Sequence, residues 1–184
     1  MQDEELVRRA VAARQGDLRA FDELVKRHQS RVQTNCRFLS GSAEDAKDLS
    51  QEVFVKAYFN LKSFESRSTF ATWIQRIKVN HCLNHLRKGK GKVFVDIDDE
   101  AMAVDESLRD NSRADDAIEA REARERITEV LDRMSETLRI PLIMRDMDGY
   151  SYQDIADELD VGLSAVKMRI ARARGEFRTM YAKG

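Results

Sequence analysis

The amino-acid sequence predicts an all-α protein: two small helical domains joined by a flexible acidic linker. Three observations carry that expectation. The 184 residues include one proline and eight glycines, and only the short stretch Lys92 to Ile97 has any β character. Apolar residues recur at helical spacing through most of the chain. Charge is segregated although the net value is only −1. Residues 1–92 carry 18 basic and 11 acidic side chains, residues 93–126 carry 5 and 12, and residues 127–184 carry 9 and 10. The expected layout is therefore a domain over 1–92, a linker over 93–116 and a domain over 117–184, each domain close to the smallest size that closes its own core.

In the first domain, Leu6, Val7, Ala10 and Val11 open an amphipathic helix that Gly16 is expected to end. Phe21, Leu24, Val25, His28, Val32, Cys36 and Leu39 continue at helical spacing until Gly41. Ser42 and Asp45 form a Ser-x-x-acid start signal. Behind it, Ala46, Leu49, Val53, Phe54, Ala57, Tyr58 and Leu61 make a third apolar face, opposite Asp48, Gln51, Glu52 and Lys56. A polar loop with one aromatic, Lys62 to Ser68, leads to a fourth helix packed by Phe70, Trp73, Ile74, Ile77, Leu83 and Leu86. Its expected exposed residues are Arg76, Lys78, Asn80, Asn84, Arg87 and Lys88. A basic, amide-bearing helix behind an aromatic loop suits phosphates and unstacked bases, because a π-face stacks on any base and an amide reads base edges.

From Asp96 to Asp116 nine acids face only Arg109 and Arg113, and the apolar spacing is irregular, so this segment cannot bury enough surface to order itself. Some twenty extended residues reach roughly 65 Å at about 3.3 Å each. That span matches about 18 base pairs of duplex at about 3.4 Å per pair.

The second domain begins with a helix over Ile118 to Met134, followed by another over Ser135 to Met147. In that one, Pro141 should mark the true start, since an interior proline removes a hydrogen bond. After Gly149, Ser151 and Asp154 repeat the start signal, and Ile155, Ala156 and Leu159 make one stripe. Gly162 supplies the turn, Ser164 is a candidate cap, and Val166, Ile170, Ala173 and Phe177 pack a second helix inward. From Leu163 onward six basic residues stand against the single acid Glu176, on a helix able to enter a major groove. This is a helix-turn-helix pattern, and DNA is its natural partner.

Other chemistry finds little support. His81 and His85 are spaced i, i+4 with Cys82 between them, but a third metal ligand is missing, and neither a phosphate loop nor a catalytic elbow is present. No metal, cofactor or enzymatic activity is expected. Cys36 and Cys82 read as reduced, partly buried thiols. No apolar run is long enough to span a membrane and no leader pattern opens the chain, so a cytoplasmic protein is expected.

Four ordered blocks of residues resemble a known family. They are Gly16-Asp17 with Ala20-Phe21 and Leu24-Val25; Asp45-Ala46, Asp48-Leu49, Gln51-Glu52, Phe54 and Ala57-Tyr58; Phe70, Trp73-Ile74, Arg76-Ile77, Asn80 and Leu86-Arg87; and Gly149, Ser151-Tyr152, Asp154-Ile155-Ala156, Val166, Arg169-Ile170 and Arg172-Ala173-Arg174. Together they are similar to bacterial RNA polymerase sigma factors of the extracytoplasmic function class. The resemblance implies a region 2 helical bundle and a region 4 helix-turn-helix. It implies an alternative sigma factor that binds core polymerase through the β′ clamp helices and the β flap, recognises −35 and −10 promoter elements and helps melt the DNA. An anti-sigma partner is also implied.

Carried onto this sequence, the resemblance places Asp48, Gln51 and Glu52 on the clamp helices. Phe64, Ser66, Arg67 and Ser68, with Asn80 and Asn84, would capture a flipped base of the −10 element, and Arg76, Lys78, Arg87 and Lys88 would meet phosphates. Lys167, Met168, Ala171 and Arg172 fall where the family reads −35, with Ser164, Arg169 and Arg174 nearer the backbone. Met168 and Ala171 cannot donate hydrogen bonds from their side chains, which leaves methyl contact or DNA shape as their means of discrimination. The rival reading, a stand-alone helix-turn-helix regulator, needs only Ser151 to Arg178 and leaves the Asp48, Gln51 and Glu52 face unexplained.

Overall fold

The structure, a computed structural model, describes residues 2–14, 17–64, 68–90 and 117–183. The chain divides into two compact units, Met1–Gly91 and Lys92–Gly184. All regular elements among the described residues are helical. Gly16 and the proposed linker 93–116 lie outside the described residues.

The first unit is built from α1 (Asp3–Ala12), α2 (Arg19–Ser40), α3 (Ala43–Asn60) and α4 (Phe70–Lys90), with α2 packed against the other three. Asp3, Glu4 and Glu5 place negative charge on the first turn of α1, where the helix dipole favours it. Asp3 also holds α1 to α2, lying 3.1 Å from Arg27 and 2.7 Å from His28. Gly41 ends α2 in the left-handed conformation at φ 73°, its N–H donating to the Arg37 carbonyl, as a Gly cap requires. Ser42 then starts α3, its Oγ accepting the Asp45 N–H at 3.1 Å. Thr69 does the same for α4, accepting from the Thr72 N–H at 3.2 Å.

The core stripe of α4 differs from the expected one. Buried positions run Phe70, Ile74, Lys78, Cys82 and Leu86, a strict i, i+4 series, flanked by Gln75, Val79 and Leu83. Trp73 and Ile77 are only half-buried. Lys78, expected on the surface, has 0% relative exposure because it stands one turn from Ile74 and one turn from Cys82 on the inward side. Cys36 of α2 and Cys82 are free thiols, both fully buried, with their sulfurs 3.7 Å apart.

The second unit contains α5 (Ala117–Arg133), α6 (Glu136–Leu142), a π-turn over Ile143–Met147, α7 (Tyr152–Leu159) and α8 (Leu163–Lys183). Arg126 of α5 donates to the Tyr181 carbonyl at 2.7 Å and lies over that ring, fastening α5 to the end of α8. α6 begins at Glu136, five residues before Pro141, the expected start. An interior proline costs on the order of 3 kcal/mol. Ile140, Ile143 and Met144 around it are fully buried, and burial is worth roughly 1.5 to 3 kcal/mol per large apolar side chain, so packing outweighs the lost bond. The helix then widens, and the Asp148 N–H donates to the Ile143 carbonyl at 3.1 Å, a π-type spacing. Gly149, at φ 76°, makes the exit.

α7 opens with a complete capping box: Ser151 Oγ accepts the Asp154 N–H at 3.0 Å, and Asp154 Oδ2 accepts the Ser151 N–H at 3.1 Å. The turn that follows also departs from expectation. Its left-handed residue is Asp160, at φ 54°, a conformation that short polar side chains tolerate better than most. Gly162 instead offers its carbonyl to the Val166 N–H at 3.1 Å, so α8 starts at Leu163 and Ser164 lies inside its first turn rather than capping it. Val166, Ile170 and Ala173 face the core.

Ser151→Ala deletes the acceptor for the Asp154 N–H and is expected to destabilise the second unit by about 1 kcal/mol. The readout is a lower urea midpoint together with faster hydrogen exchange at α7 amides. Unchanged exchange there would show that the cap contributes nothing.

Candidate nucleic-acid interface

In the second unit the burial of Val166, Ile170 and Ala173 decides what α8 can present. Ser164, Lys167 and Arg172 are exposed, and Met168 and Ala171 are half-exposed between them; the i, i+3 and i+4 spacings put all five on one side of the helix. Arg169, expected near a DNA backbone, is only 4% exposed, because it follows Val166 by three residues and turns inward with it. Arg174 is accessible but engaged. Its Nε donates to Asp146 Oδ2 at 3.0 Å and its Nη2 to Asp146 Oδ1 at 2.6 Å, and these bonds raise its pKa above the ordinary value. Beside it, Arg145 donates to the Tyr150 carbonyl at 2.7 Å and covers the Tyr152 ring at 4.5 Å. Arg145 and Asp146 were not anticipated as site residues. A pair 28 residues apart in sequence leaves no periodic signal.

In the first unit, Asp48, Gln51 and Glu52 are exposed on one side of α3. That side extends into Val55 and Phe59, which are 54% and 77% exposed and which the sequence reading missed. Across from the acids, His81 Nε2 of α4 stands 2.8 Å from Glu52 Oε2, and His85 Nε2 stands 3.6 Å from Asp45 Oδ2. The two imidazoles considered as metal ligands thus each face a carboxylate of α3. An open groove runs here, bounded by Asp48 and Glu52 on α3 and by Asn84, Arg87 and Lys88 on α4. Burial pushes the His81 pKa below its ordinary value, while Glu52 pulls the other way.

Arg76, Asn80, Asn84, Arg87 and Lys88 form an exposed ridge along α4, opposite its core stripe. Lys78 is not part of it: with no exposed surface, its ammonium cannot meet a phosphate as expected. At the head of the helix Phe64 is half-buried, packed edge-on against Trp73 with ring centres 5.5 Å apart and against Phe70 at 6.2 Å. Ser68 is exposed, whereas Ser66 and Arg67 lie outside the described residues.

Comparison with known proteins bears on both units. Residues 24–92 match the family model Sigma-70 region 2, and residues 124–176 match Sigma-70, region 4. The chain is 34% identical to the RNA polymerase sigma-H factor of Pseudomonas aeruginosa, over 94% of this chain and 90% of that protein. It is also 34% identical to the ECF RNA polymerase sigma-E factor of Haemophilus influenzae, over 93% of each. The corresponding sigma-E factor of Escherichia coli K12 shows 34% identity over 94% of this chain and 90% of its own length. Among solved structures, CnrH in complex with the cytosolic domain of CnrY has a similar fold, at TM-score 0.58 and 24% identity, covering 98% of this chain and 97% of that one. The sigma factor RpoE in complex with the anti-sigma factor NepR from Bartonella quintana aligns at TM-score 0.57 and 22% identity, covering 88% and 96%.

The His81 environment sets a pH dependence. Its folded pKa lies below the ordinary 6.5, so as pH falls through that value the unfolded chain binds the proton first and stability is lost until the folded pKa is reached. His81→Gln is expected to flatten this part of the stability profile, measured by urea midpoints across mildly acid to neutral pH. An equally steep loss in the variant would assign it to other groups.

Proposed function

Because the chain belongs to the sigma-70 family, within its extracytoplasmic function class, we propose that the acid and amide face of α3 is where it docks on the polymerase and that α4 and α8 are its two promoter-reading helices. As a member of that class it is an alternative sigma factor, which binds core RNA polymerase and directs promoter recognition and transcription initiation. In this reading residues 1–92 bind core enzyme and the −10 element, residues 93–116 link, and residues 117–184 bind the −35 element. The chain works as a non-enzymatic subunit in the cytoplasm.

The observation that carries the assignment is the arrangement of the first unit. Asp48, Gln51 and Glu52 share one exposed side of α3 while Ala46, Leu49, Val53 and Ala57 take its other side into the core, and the exposed side of α4 next to it is basic and amide-rich. A stand-alone helix-turn-helix regulator has no use for this unit. Asp48, Gln51 and Glu52 engage the β′ clamp helices. Phe64, Ser66, Arg67 and Ser68 hold the extruded −10 base, supported by Asn80 and Asn84, while Arg76, Arg87 and Lys88 neutralise phosphates. The T-shaped packing of Phe64 on Trp73 supports such a role by offering a preformed aromatic platform.

On α8, Lys167 and Arg172 supply hydrogen-bond donors to −35 base edges. Met168 and Ala171 supply apolar contact, suited to a thymine methyl. Ser164 lies at the start of the helix, close to the strand backbone. The second unit also engages the β flap. An anti-sigma partner covering these surfaces fits the same reading, supported by the two fold neighbours, each solved with another protein bound.

Charge reversal with Asp48→Lys and Glu52→Lys is expected to abolish co-purification with core polymerase while leaving the circular dichroism spectrum unchanged. Undiminished co-purification would refute the docking face. Lys167→Ala and Arg172→Ala are each expected to weaken holoenzyme binding to a −35 element by about 1 to 3 kcal/mol if they contact bases. An equal loss on every DNA sequence would reassign them to phosphates.

A further inference from the structure

The second unit contains a side-chain cluster that DNA reading does not consume. It joins three elements: Arg145 and Asp146 on the π-turn, Tyr152 at the head of α7, and Arg174 on α8. Arg174 presents its Nε and Nη2 edge to both oxygens of Asp146, at 3.0 and 2.6 Å, and these bonds raise its pKa above the ordinary value. Arg145 covers the Tyr152 ring and binds the Tyr150 carbonyl, closing the cluster on the other side. The helix widening at Ile143–Met147 brings Asp146 to this place.

We infer that Asp146 is a positioning residue for promoter recognition, acting through Arg174 to hold α8 at the angle that −35 readout needs. The inference rests on the assignment of α8 as the −35 reader. A partly exposed ion pair adds little to stability, but a bidentate one fixes orientation in two directions. Arg174 lies seven residues beyond Lys167, about 10 Å along the helix at about 1.5 Å per residue. A tilt of about 10° at Arg174 therefore moves the backbone at Lys167 by roughly 2 Å, enough to break a base contact whose useful range is a few tenths of an ångström. Arg174 thereby acts inside the protein, with the edge best suited to a phosphate already occupied.

The test uses reconstituted holoenzyme. A promoter recovered by in vitro transcription of a genomic library has its −35 hexamer randomised, and bound and unbound DNA are sequenced. The wild type is expected to favour the preferred base at contacted positions by about tenfold. Asp146→Asn, close in shape and safe for folding, should cut that preference at least about threefold while leaving holoenzyme formation, the melting temperature and the slope of log K against log salt unchanged. The charge exchange Asp146→Arg with Arg174→Asp should restore it. The inference is overturned if Asp146→Asn keeps wild-type preference, or if the exchange fails to restore it. It is equally overturned if Arg174→Ala flattens the salt slope by about 0.9, the mark of one lost phosphate contact, with base preference intact. Failure of the assignment of α8 as the −35 reader reads out separately, as a wild-type holoenzyme with no base preference across the randomised hexamer.

Discussion

A helix in a bundle this small has one face to bury, and the choice of that face dictates everything it can offer outward. On α4 the core takes Phe70, Ile74, Lys78, Cys82 and Leu86, each one turn beyond the last, and closes them against α2 and α3. Arg76, Asn80 and Asn84 are then left on the far side with the same periodicity. The face available to nucleic acid is thus set by packing density as much as by charge, since shifting the core stripe by one residue rotates the whole polar ridge out of line. α8 obeys the same constraint: Val166, Ile170 and Ala173 go inward, and Lys167, Met168, Ala171 and Arg172 follow outward.

That constraint explains which features could be read from residues alone. The Ser42 cap and the Ser151 box depend on a side chain meeting backbone within one turn, and Gly41 on the left-handed backbone that a residue without Cβ adopts freely; such local chemistry is written directly in the sequence. Lys78, Arg169 and Pro141 depart from expectation for the opposite reason. A cation is expected outside and a proline at a helix start, while at all three positions burial of the neighbouring apolar residues wins. In the turn before α8 Gly162 lies as expected, but the left-handed backbone falls on Asp160, a residue type that tolerates it. The contacts of His81 with Glu52 and of Arg174 with Asp146 carry no signal in spacing at all.

Division of labour between the units follows from their surfaces. The first sets carboxylates and cations side by side on adjacent helices, so that one open groove has an acidic wall on α3 and a basic one on α4. The second carries six cations against one acid on α8, and engages two of its acids within the fold, Asp154 in the capping box and Asp146 with Arg174. The near-neutral net charge of the chain is the sum of a cation excess over residues 1–92 and an acid excess over residues 93–126, and says little about what either surface attracts.

The connection between α7 and α8 has a bearing on how this protein can change over time. Only Asp160, Val161 and Gly162 separate the two helices, and each residue of an α-helix advances the azimuth by about 100°. An amino acid inserted within the first turns of α8, unlike one added to this irregular connection, turns the outward side of the rest of the helix toward its neighbours and the oily side toward water, spoiling fold and readout in one stroke. Drift in specificity must consequently come by exchange of individual side chains at constant helix length.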